Sequence, residues 1–449
     1  MDINALIAKY DIRVPRYTSY PTAPQFRPTI DADVYEAWLK ALPDVPVSLY
    51  LHVPFCAELC WYCGCNTTAV RRREPMDAYA DTLLTEIDRV AATIGRRMQV
   101  AHLHWGGGTP HALPADRMVA IMARLRAAFA FAADAEIAVE IDPRTAGAPV
   151  IDTLAAIGVT RASLGVQDFD PAVQRAVNRV QSFQQTLACA TRLRARGIDA
   201  INLDLIYGLP YQTEAGVAAT VRRALDLAPD RVAVFGYAHV PWMKRHQALI
   251  PEAALPDLRA RHRQRAAADA ALTGAGYVAV GLDHYARPQD ALARAAERGT
   301  LRRNFQGYTT DAAPALIGLG ASAIGVLPQG YVQNAAAIPD YRARLRAGAL
   351  ATVRGVALAG DDRLRRDVIE QLMCQGEVDL AETAARHGAD PATFGAAAPA
   401  LHSLAEDGVI VWDGARVAVQ PEAAILVRAV ASVFDAYHQP DAQRHAPAV

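Results

Sequence analysis

The sequence is short of lysine and carries almost no net charge. Its 449 residues include 46 lysines and arginines against 47 acidic residues, which gives a net charge of −1. Only three of the basic residues are lysines: Lys9, Lys40 and Lys244. Because proteins that bind nucleic acid usually carry a basic domain, this balance argues against a nucleic-acid partner. The preference for arginine is typical of GC-rich coding sequence.

Long apolar runs are also absent. No stretch approaches the ~18 apolar residues that a membrane span requires, and the opening residues, MDINALIAKYDIRV, lack the apolar core of a signal peptide. Hydrophobic residues make up 52% of the chain and charged residues 21%, so a large core can be buried. We therefore expect a soluble, cytoplasmic monomer of up to about three domains, with no membrane partner.

Cysteines are few, but most of them lie together. The chain has six, and four fall within ten residues: Cys56, Cys60, Cys63 and Cys65. A cytosolic chain has little use for disulfides, so a cluster this tight indicates metal or redox chemistry. Cys189 and Cys374 are isolated in helix-like sequence and are expected to be buried small hydrophobes.

From residue 47 onward, short β-branched runs alternate with helix-like runs. The candidate strands are VSLYLHV (47–53), QVAHLHW (99–105), EIAVEID (136–142), RASLGVQ (161–167), INLDLIY (201–207), RVAVFGY (231–237) and, more weakly, YVAVGLDH (277–284). Their spacing suits repeated βα units and a parallel sheet. Six or more such units predict an α/β fold, a partial (β/α)6 TIM-like barrel, rather than a doubly wound sheet.

The predicted strands end on polar or glycine-rich groups. These are Tyr50 and His52, GGGTP (106–110), Glu140 and Asp142, Gln167, Asp204, and Tyr237 and His239. In a barrel the C-terminal strand ends converge on the active site. The cysteine cluster directly follows the first strand, so we expect it at the same mouth.

The barrel rhythm stops near residue 360. Helices are expected at 362–375, 379–388, 397–407 and 421–437, with a hairpin at 409–419 that turns at Asp413–Gly414. These elements resemble a small, mostly helical winged-helix domain. The predicted division is an irregular N-terminal arm (1–35), a catalytic domain (36–360) and a C-terminal cap (361–449).

The cysteine spacing points to an iron–sulfur cluster. Zinc sites generally pair two short knuckles separated by a longer span, and no second knuckle is present. Thiolates bind iron–sulfur clusters one per iron, so C-x3-C-x2-C can hold three corners of a cubane and leave one iron open. Cys65 could close the fourth corner, although its position two residues after Cys63 would strain the geometry. Zinc and purely structural thiols remain the alternatives.

Longer motifs carry a resemblance to a known family. YLHVPFCAELCWYCGCN, followed by HLHWGGGTP, strongly resembles the radical S-adenosylmethionine (SAM) superfamily. Stretches along almost the whole chain resemble one of its families, the oxygen-independent coproporphyrinogen III oxidases. They are PRYTSYPTA (15–23), EIDPR (140–144), LGVQDF (164–169), VNRVQ (177–181), NLDLIYGLP (202–210), GLDHYARP (281–288) and RNFQGYTT (303–310).

The resemblance implies a radical SAM oxidoreductase with a [4Fe-4S] cluster on Cys56, Cys60 and Cys63. The amine and carboxylate of SAM would chelate the open iron. In the family, reductive cleavage of SAM gives methionine and a 5′-deoxyadenosyl radical, which takes a hydrogen from the β-carbon of a propionate of coproporphyrinogen III. Loss of CO2 and one electron leaves a vinyl group, and two rounds give protoporphyrinogen IX for haem biosynthesis. The electron donor and acceptor are not identified.

The resemblance also implies two SAM sites. Residues that match the first are Tyr50, Gly107, Glu140 and Ile324. Residues that match the second are Tyr62, Gly108, Thr109, Gln167, Arg179, Asp204 and Ala238. The glycines would let the backbone approach SAM closely, Asp204 would accept from ribose hydroxyls, and Arg179 would pair with a carboxylate. A tight turn and ordinary salt bridges are the alternatives for these residues.

The four propionates of the substrate call for guanidinium partners. The candidates, which flank family motifs, are Arg16, Arg144 and Arg303. Tyr17 and Tyr20 either cover the substrate pocket or pack in the core of a wrapped arm. His52 and His284 are expected to be structural hydrogen-bonders, because the implied chemistry needs no general base.

Two other functions remain open. A haem-chaperone relative shares C-x3-C-x2-C and GGGTP, but it typically carries an aromatic residue where this chain has Cys65. RNFQGYTT and the extended arm also favour the oxidase. The second alternative is an iron–sulfur regulator whose winged helix binds DNA, which the neutral charge disfavours. Tight haem binding without turnover would support the first alternative, and salt-sensitive DNA binding the second.

Overall fold

The computed structural model describes residues 3–10 and 12–438. Its α-helices are α1 (Ile3–Tyr10), α2 (Ala32–Lys40), α3 (Arg73–Ile94), α4 (Ala115–Ala128), α5 (Ala148–Ala156), α6 (Pro171–Ala176), α7 (Phe183–Ala195), α8 (Glu214–Leu225), α9 (Leu258–Gly274), α10 (Ala291–Glu297), α11 (Ile338–Arg346), α12 (Asp362–Gln375), α13 (Leu380–Arg386), α14 (Ala398–Glu406) and α15 (Val427–Ser432). Short 3-10 helices lie at Ala23–Gln25, Pro110–Ala112, Arg245–Leu249, Glu252–Ala254, Pro391–Ala397 and Pro421–Leu426. Among the described residues, no helix combines the length and apolar character needed to cross a membrane.

The β-strands are β1 (Val47–Val53), β2 (Phe55–Cys56), β3 (Thr68–Ala69), β4 (Gln99–Gly107), β5 (Ala130–Ile141), β6 (Arg161–Gln167), β7 (Ala200–Tyr207), β8 (Arg231–Gly236), β9 (Val278–Val280), β10 (His284–Ala286), β11 (Arg302–Asn304), β12 (Gly307–Thr309), β13 (Ala315–Leu319), β14 (Ile324–Leu327), β15 (Gly330–Asn334), β16 (Thr352–Ala357), β17 (Glu377–Asp379), β18 (Ile410–Trp412) and β19 (Arg416–Val419).

One twelve-stranded sheet forms the centre of the molecule. Its order is β16-β15-β14-β13-β1-β4-β5-β6-β7-β8-β10-β9. The run from β13 through β1 and β4 to β8 is parallel throughout, and the strands outside it are antiparallel. This arrangement confirms the α/β fold class and the partial barrel, whose six predicted parallel strands are all present.

The seventh predicted strand is present only as Val278–Val280, and its expected parallel direction was wrong. Residues 277–284 do not continue the parallel run, because β9 and β10 form an antiparallel hairpin on the far side of β8. Gly281 lies in the turn of this hairpin with φ +59°, and a Cβ there would lie 2.0 Å from the ring of Tyr308. The additional parallel strand is β13, which pairs with β1 and has no βα repeat before it.

Helices cover the outer face of the parallel strands, and the inner face lines the barrel interior. In β1 every residue except Tyr50 is buried. In β6 and β7 buried residues alternate with half-buried ones, as side chains point in turn to the helices and to the interior. Long helices such as α3 contribute Tyr79, Leu83 and Ile87 to the same core.

The C-terminal domain has the predicted helices and a three-stranded sheet of order β17-β19-β18. The hairpin turns at Gly414, whose φ of +101° suits glycine. The last predicted helix is shorter than expected and covers Val427–Ser432 after a 3-10 turn. The predicted domain limit of 449 lies outside the described residues.

The N-terminal arm contains a helix that the sequence analysis did not predict. Leu6 and Ile7 of α1 are buried in an apolar cluster with the C-terminal domain. Arg428 of α15 donates to the backbone carbonyls of Val14 and Pro15, at 2.7 Å and 3.1 Å. The arm is therefore fastened to the C-terminal domain as well as to the barrel.

A buried carboxylate joins helix α3 to the strands beside β1. Glu86 is fully enclosed and accepts from the backbone N–H of Gly320 at 2.6 Å, from Asn334 Nδ2 at 2.6 Å and from the Tyr341 hydroxyl at 2.7 Å. Burial raises the pKa of Glu86 to about 7, although these donors counteract part of the shift. The Glu86 carboxylate therefore links helix α3 to the segments that carry Gly320, Asn334 and Tyr341.

We expect the stability that Glu86 provides to depend on pH. Its pKa is raised from 4.5 in the unfolded chain to about 7 in the folded protein. The folded state therefore binds the proton of Glu86 more tightly than the unfolded state does. This contribution is fully present below pH 4.5 and is lost as pH rises to about 7, by about 3 kcal/mol at most. Urea unfolding of the wild type should show this loss, whereas Glu86→Gln, which stays neutral, should not.

Tyr341→Phe serves as the control, because it removes one donor and keeps the carboxylate. Its pH dependence should persist with a lower overall stability, by about 1–3 kcal/mol. If Glu86→Gln follows the wild-type pH profile, Glu86 is not the group responsible.

Candidate active site

One cavity of about 290 Å³ collects most of the expected site residues at the C-terminal ends of the strands. It is lined by eleven of the fourteen predicted ligand and cofactor residues: Cys56, Cys60, Tyr62, Cys63, Gly107, Gly108, Thr109, Glu140, Gln167, Arg179 and Asp204. Cys65, Asp142 and Arg144 also line it. The other three predicted residues, Tyr50, Ala238 and Ile324, lie outside this lining.

The cysteine loop is held closed at its base by β2 and β3. Phe55 and Cys56 pair in parallel with Thr68 and Ala69, so the loop between them projects from the barrel mouth. The Cys63 N–H donates to the Cys60 carbonyl at 3.1 Å, which turns the chain between the second and third thiols. Local backbone bonds therefore present three thiols towards the cavity.

The donor set fits an iron–sulfur cluster. The side-chain oxygens of Thr67 and Thr109 lie 3.2 Å and 3.5 Å from Cys56 Sγ. Within the described residues, no three metal-ligating side chains converge on a single-ion site. A cubane places each thiolate on a different iron, so its ligands need not converge on one point.

Cys65 is exposed and close to the third thiol. Its backbone N–H donates to Cys63 Sγ at 3.4 Å. The hydrogen bond between the two side chains lowers the pKa of Cys63 to about 7. Cys65 thus lies beside a predicted ligand and favours the thiolate form of Cys63.

Two arginines flank the second thiol. Arg144 Nη2 and Arg179 Nη1 each lie 3.5 Å from Cys60 Sγ. Both also contact Asp142, Arg144 at 2.6 Å and Arg179 at 3.3 Å. Although burial alone would raise it, these guanidiniums hold the pKa of Asp142 at about 2. Asp142, Arg144 and Arg179 form an ion triplet, which places positive charge where an anionic cluster would lie.

The glycines of GGGTP have little free space. A Cβ on Gly107, whose φ is +113°, would lie 2.8 Å from the His52 ring. A Cβ on Gly108 would lie 2.6 Å from the backbone oxygen of Phe55. Glycine is required here because the backbone of β4 packs directly on the end of β1, a reason that differs from the expected approach of SAM.

Glu140 is fixed against this glycine segment. Its carboxylate accepts the Gly107 N–H at 3.1 Å and lies 3.1 Å from His104 Nε2. Tyr50 stacks on His104, with ring centroids 5.9 Å apart, and its hydroxyl lies 3.0 Å from His52 Nδ1. Tyr50 therefore supports His104, which in turn contacts the Glu140 carboxylate.

His52 has a structural role, as predicted. Its Nε2 faces the Asn66 carbonyl at 2.9 Å and must donate to it, which leaves Nδ1 to accept from the Tyr50 hydroxyl. Burial lowers the pKa of His52, in keeping with a neutral ring.

The deeper wall carries Asp204, Gln167 and Arg179. Asp204 accepts from Ser163 Oγ and Asn202 Nδ2, both at 2.8 Å, and burial raises its pKa. Within the described residues, Gln167 Oε1 and Arg179 Nε are buried atoms without a hydrogen-bond partner. Unpaired buried polar atoms of this kind are costly unless a ligand satisfies them.

A second cavity of about 300 Å³ adjoins the first at Phe235, which lines both. Its arginines come from the arm, α9, β11 and α15; they are Arg16, Arg261, Arg265, Arg303 and Arg428. Asp283 is the one carboxylate among its described lining residues. Burial, together with Arg16 and Arg303, lowers the pKa of Arg428 to about 10. The cavity is therefore strongly cationic.

The structure divides the predicted arginines between the two cavities. Arg16 and Arg303 lie in the cationic cavity, whereas Arg144 belongs to the ion triplet beside Cys60. Ala238 also lines the cationic cavity. Ile324 packs in a separate apolar cluster around Phe26 and Tyr331.

Sequence reasoning missed Arg261, Arg265 and Arg428. The abundance of arginine hid all three. One available signal was the four-residue spacing of Arg261 and Arg265, which places both on one helix face. Nothing local marks Arg428, because its position depends on how the C-terminal domain docks.

The remaining predicted residues have clear places. Tyr17 and Tyr20 are buried in the cluster shared with the C-terminal domain, and they also line a cavity beside the hairpin of β11 and β12. His284 Nδ1 donates to Asp283 at 2.8 Å. Cys189 and Cys374 are buried, as predicted.

Comparison with known proteins matches both parts of the chain. Residues 50–224 match the Radical SAM superfamily, and residues 358–426 match the HemN C-terminal domain. The oxygen-independent coproporphyrinogen III oxidase of Bradyrhizobium diazoefficiens is 56% identical over 438 residues, 97% of each chain. That of Paracoccus denitrificans is 44% identical over 95% of each chain.

The solved structure of coproporphyrinogen III oxidase (HemN) from Escherichia coli, a radical SAM enzyme, superimposes with a TM-score of 0.91. It is 39% identical, and the match covers 95% of this chain and 100% of that one. With such identity along nearly the full length of its relatives, the chain belongs to the oxygen-independent coproporphyrinogen III oxidase family of the radical SAM superfamily.

Proposed function

We propose that the protein converts coproporphyrinogen III to protoporphyrinogen IX without oxygen, by oxidative decarboxylation of two propionates to vinyl groups. The observation that carries the proposal is the junction of two cavities at Phe235, one lined by three thiols and the other by five arginines. Family membership identifies the chemistry, and the cationic cavity suits a substrate with four carboxylates.

Cys56, Cys60 and Cys63 would hold a [4Fe-4S] cluster. When bound, the cluster and SAM supply a carbon-centred radical that removes a hydrogen atom from a propionate side chain. The ion triplet of Asp142, Arg144 and Arg179 would stabilise the anionic cluster from the side of Cys60. Threonine oxygens near Cys56 offer further hydrogen bonds to sulfur.

We infer that two SAM molecules bind. Glu140, fixed beside Gly107, would accept from the amine of the first SAM, and Tyr50 would support the side chains behind it; Ile324 packs outside this cavity and is given no SAM contact. The second SAM would bind along Tyr62, Gly108, Thr109, Gln167, Arg179, Asp204 and Ala238. The buried unpaired atoms of Gln167 and Arg179 support a polar ligand there, since a SAM group would satisfy them.

Each decarboxylation has a simple electron balance. The reaction would take up one electron from a donor for each radical generated and would give up one electron with each CO2 released. An external donor and an acceptor are therefore both required. A cytoplasmic location suits this chemistry, since none of the six cysteines is paired in a disulfide and that compartment keeps thiols reduced.

The direct test is an anaerobic assay of the cluster-loaded enzyme with SAM, a reductant and coproporphyrinogen III. We expect protoporphyrinogen IX, CO2 and 5′-deoxyadenosine. Omission of SAM should abolish all three products. If cluster-replete enzyme releases no CO2, the proposed function is wrong.

The cysteines can be separated by substitution. Cys60→Ser should lose the visible absorbance of the cluster after anaerobic reconstitution, because a thiolate ligand is removed. Cys65→Ser is the matched variant in the same loop and should keep that absorbance. Equal loss in both variants would make Cys65 a ligand.

Arg303 should hold a propionate. Its Nε and Nη1 are buried and lack a partner within the described residues. Loss of a charged hydrogen bond costs about 1.5–3 kcal/mol, so Arg303→Ala should raise KM for coproporphyrinogen III roughly 10–100-fold. Arg302→Ala, on the neighbouring exposed side chain of the same strand, is the control and should leave KM unchanged. Equal KM values in wild type and Arg303→Ala would exclude this role.

A further inference from the structure

The surface next to the cysteine loop combines exposed apolar side chains with positive charge. Gly64 and Cys65 of the loop are exposed, so the loop itself reaches the surface. The segment 240–250 lies against it and ends in the buried Ile250. We call this segment the flanking loop.

The flanking loop is bonded to three carbonyls around the third thiol. Gln247 Nε2 donates to the Tyr62 carbonyl at 3.0 Å, and His246 Nε2 donates to that of Cys63 at 2.7 Å. Lys244 Nζ donates to that of Cys65 at 2.9 Å. A molecule bound to the flanking loop would therefore contact residues that hydrogen-bond directly to the backbone of Cys63, a proposed cluster ligand.

The outer side of the flanking loop is apolar to an unusual degree. Trp242 is 60% exposed, Met243 64% and Leu249 58%. Arg13 lies over the Trp242 ring, 5.9 Å from its centroid, and adds a cation to the edge. Aromatic, methionine and arginine side chains are enriched at protein interfaces, and a contiguous exposed set marks an interaction site.

Charge in this region has one sign along the chain. Residues 59–73 and 237–251 contain no aspartate or glutamate. Arg71 pairs with Glu58 at 2.6 Å, and Arg73 pairs with Asp77 and Asp116. Arg72, Lys244 and Arg245 have no ion-pair partner among the described residues and supply the local positive charge. In a chain with a net charge of −1, this local excess selects an acidic partner by charge complementarity.

We infer that the flanking loop is the docking surface for an acidic protein that carries one electron at a time. The inference rests on the proposed function, which needs one electron per cleavage of SAM from an external donor. In this step the reduced carrier loses one electron and the cluster gains one, with no bond made or broken. Electrostatic steering would speed the encounter, and Trp242 and Met243 would form the contact centre.

The test uses the full-length, cluster-loaded enzyme and an acidic carrier protein with flavin mononucleotide in its fully reduced form. The variant is Met243→Glu combined with Arg245→Glu, since neither side chain bonds to the cysteine loop. The matched control is Val119→Glu with Arg346→Glu, which makes the same kind of change at exposed positions of α4 and α11.

Two measurements report on docking without turnover. The first is the dissociation constant of the carrier from anaerobic titration, and the second is the rate at which the carrier bleaches the cluster absorbance in stopped flow. We expect the variant to bind at least tenfold more weakly and to be reduced at least tenfold more slowly. Wild-type reduction by the carrier should also slow as salt is raised.

Dithionite provides the comparison that separates docking from folding and from function. Its reduction of the cluster needs no protein contact, so the variant and the wild type should react equally. Failure of dithionite-driven turnover in every form would overturn the proposed function and leave the docking measurements readable. Four results would each overturn the docking surface. The carrier could bind the variant as well as the wild type, or bind the control as weakly as the variant. It could also fail to bind the wild type, or the enzyme could self-associate through the flanking loop.

Discussion

The parallel pairing of β1 with β4 is the constraint on which the site depends. It brings the end of β1, with His52 and Phe55, against the glycines that end β4. A Cβ on Gly107 or Gly108 would lie within 3 Å of His52 or Phe55, so no larger residue fits without displacing them. Glu140 is then held by the Gly107 N–H, and the cysteine loop leaves the barrel directly above. A larger residue at Gly107 or Gly108 would displace the glycine backbone, Glu140 and the cysteine loop together.

Charge is distributed locally rather than globally in this molecule. The net charge is −1, yet five arginines share one cavity with a single carboxylate, and two more arginines flank Cys60. Buried guanidiniums are tolerated because they donate to backbone carbonyls and to Asp142, and because the charge of Asp283 lies close to Arg16 and Arg303. The low net charge therefore hides one strongly cationic cavity, whereas the cavity of the cysteine loop sets Arg144 and Arg179 against four carboxylates: Glu58, Glu140, Asp142 and Asp204.

The cationic cavity exists only in the assembled molecule. Arg16 comes from the arm, Arg261 from α9, Arg303 from β11 and Arg428 from α15. Arg428 also binds the carbonyls of Val14 and Pro15, so the same side chain fastens the arm and lines the cavity. The docked C-terminal domain therefore completes the cavity.

The sequence by itself determined the parallel strands, because they appear as short β-branched runs separated by helix-like runs. It also determined the chemistry of the cysteine loop, since three thiols in eight residues can be read without a fold. The sequence did not reveal the additional parallel strand, β13, because no βα repeat precedes it. The segment 277–284, which was expected to supply that strand, instead reverses direction at Gly281. Only the tertiary structure decided which arginines share a cavity, since arginine is common and Arg428 is brought in from far along the chain. It also decided why the glycines are needed, because the atoms that exclude a Cβ belong to β1 and the residues after it, some fifty residues earlier in the sequence.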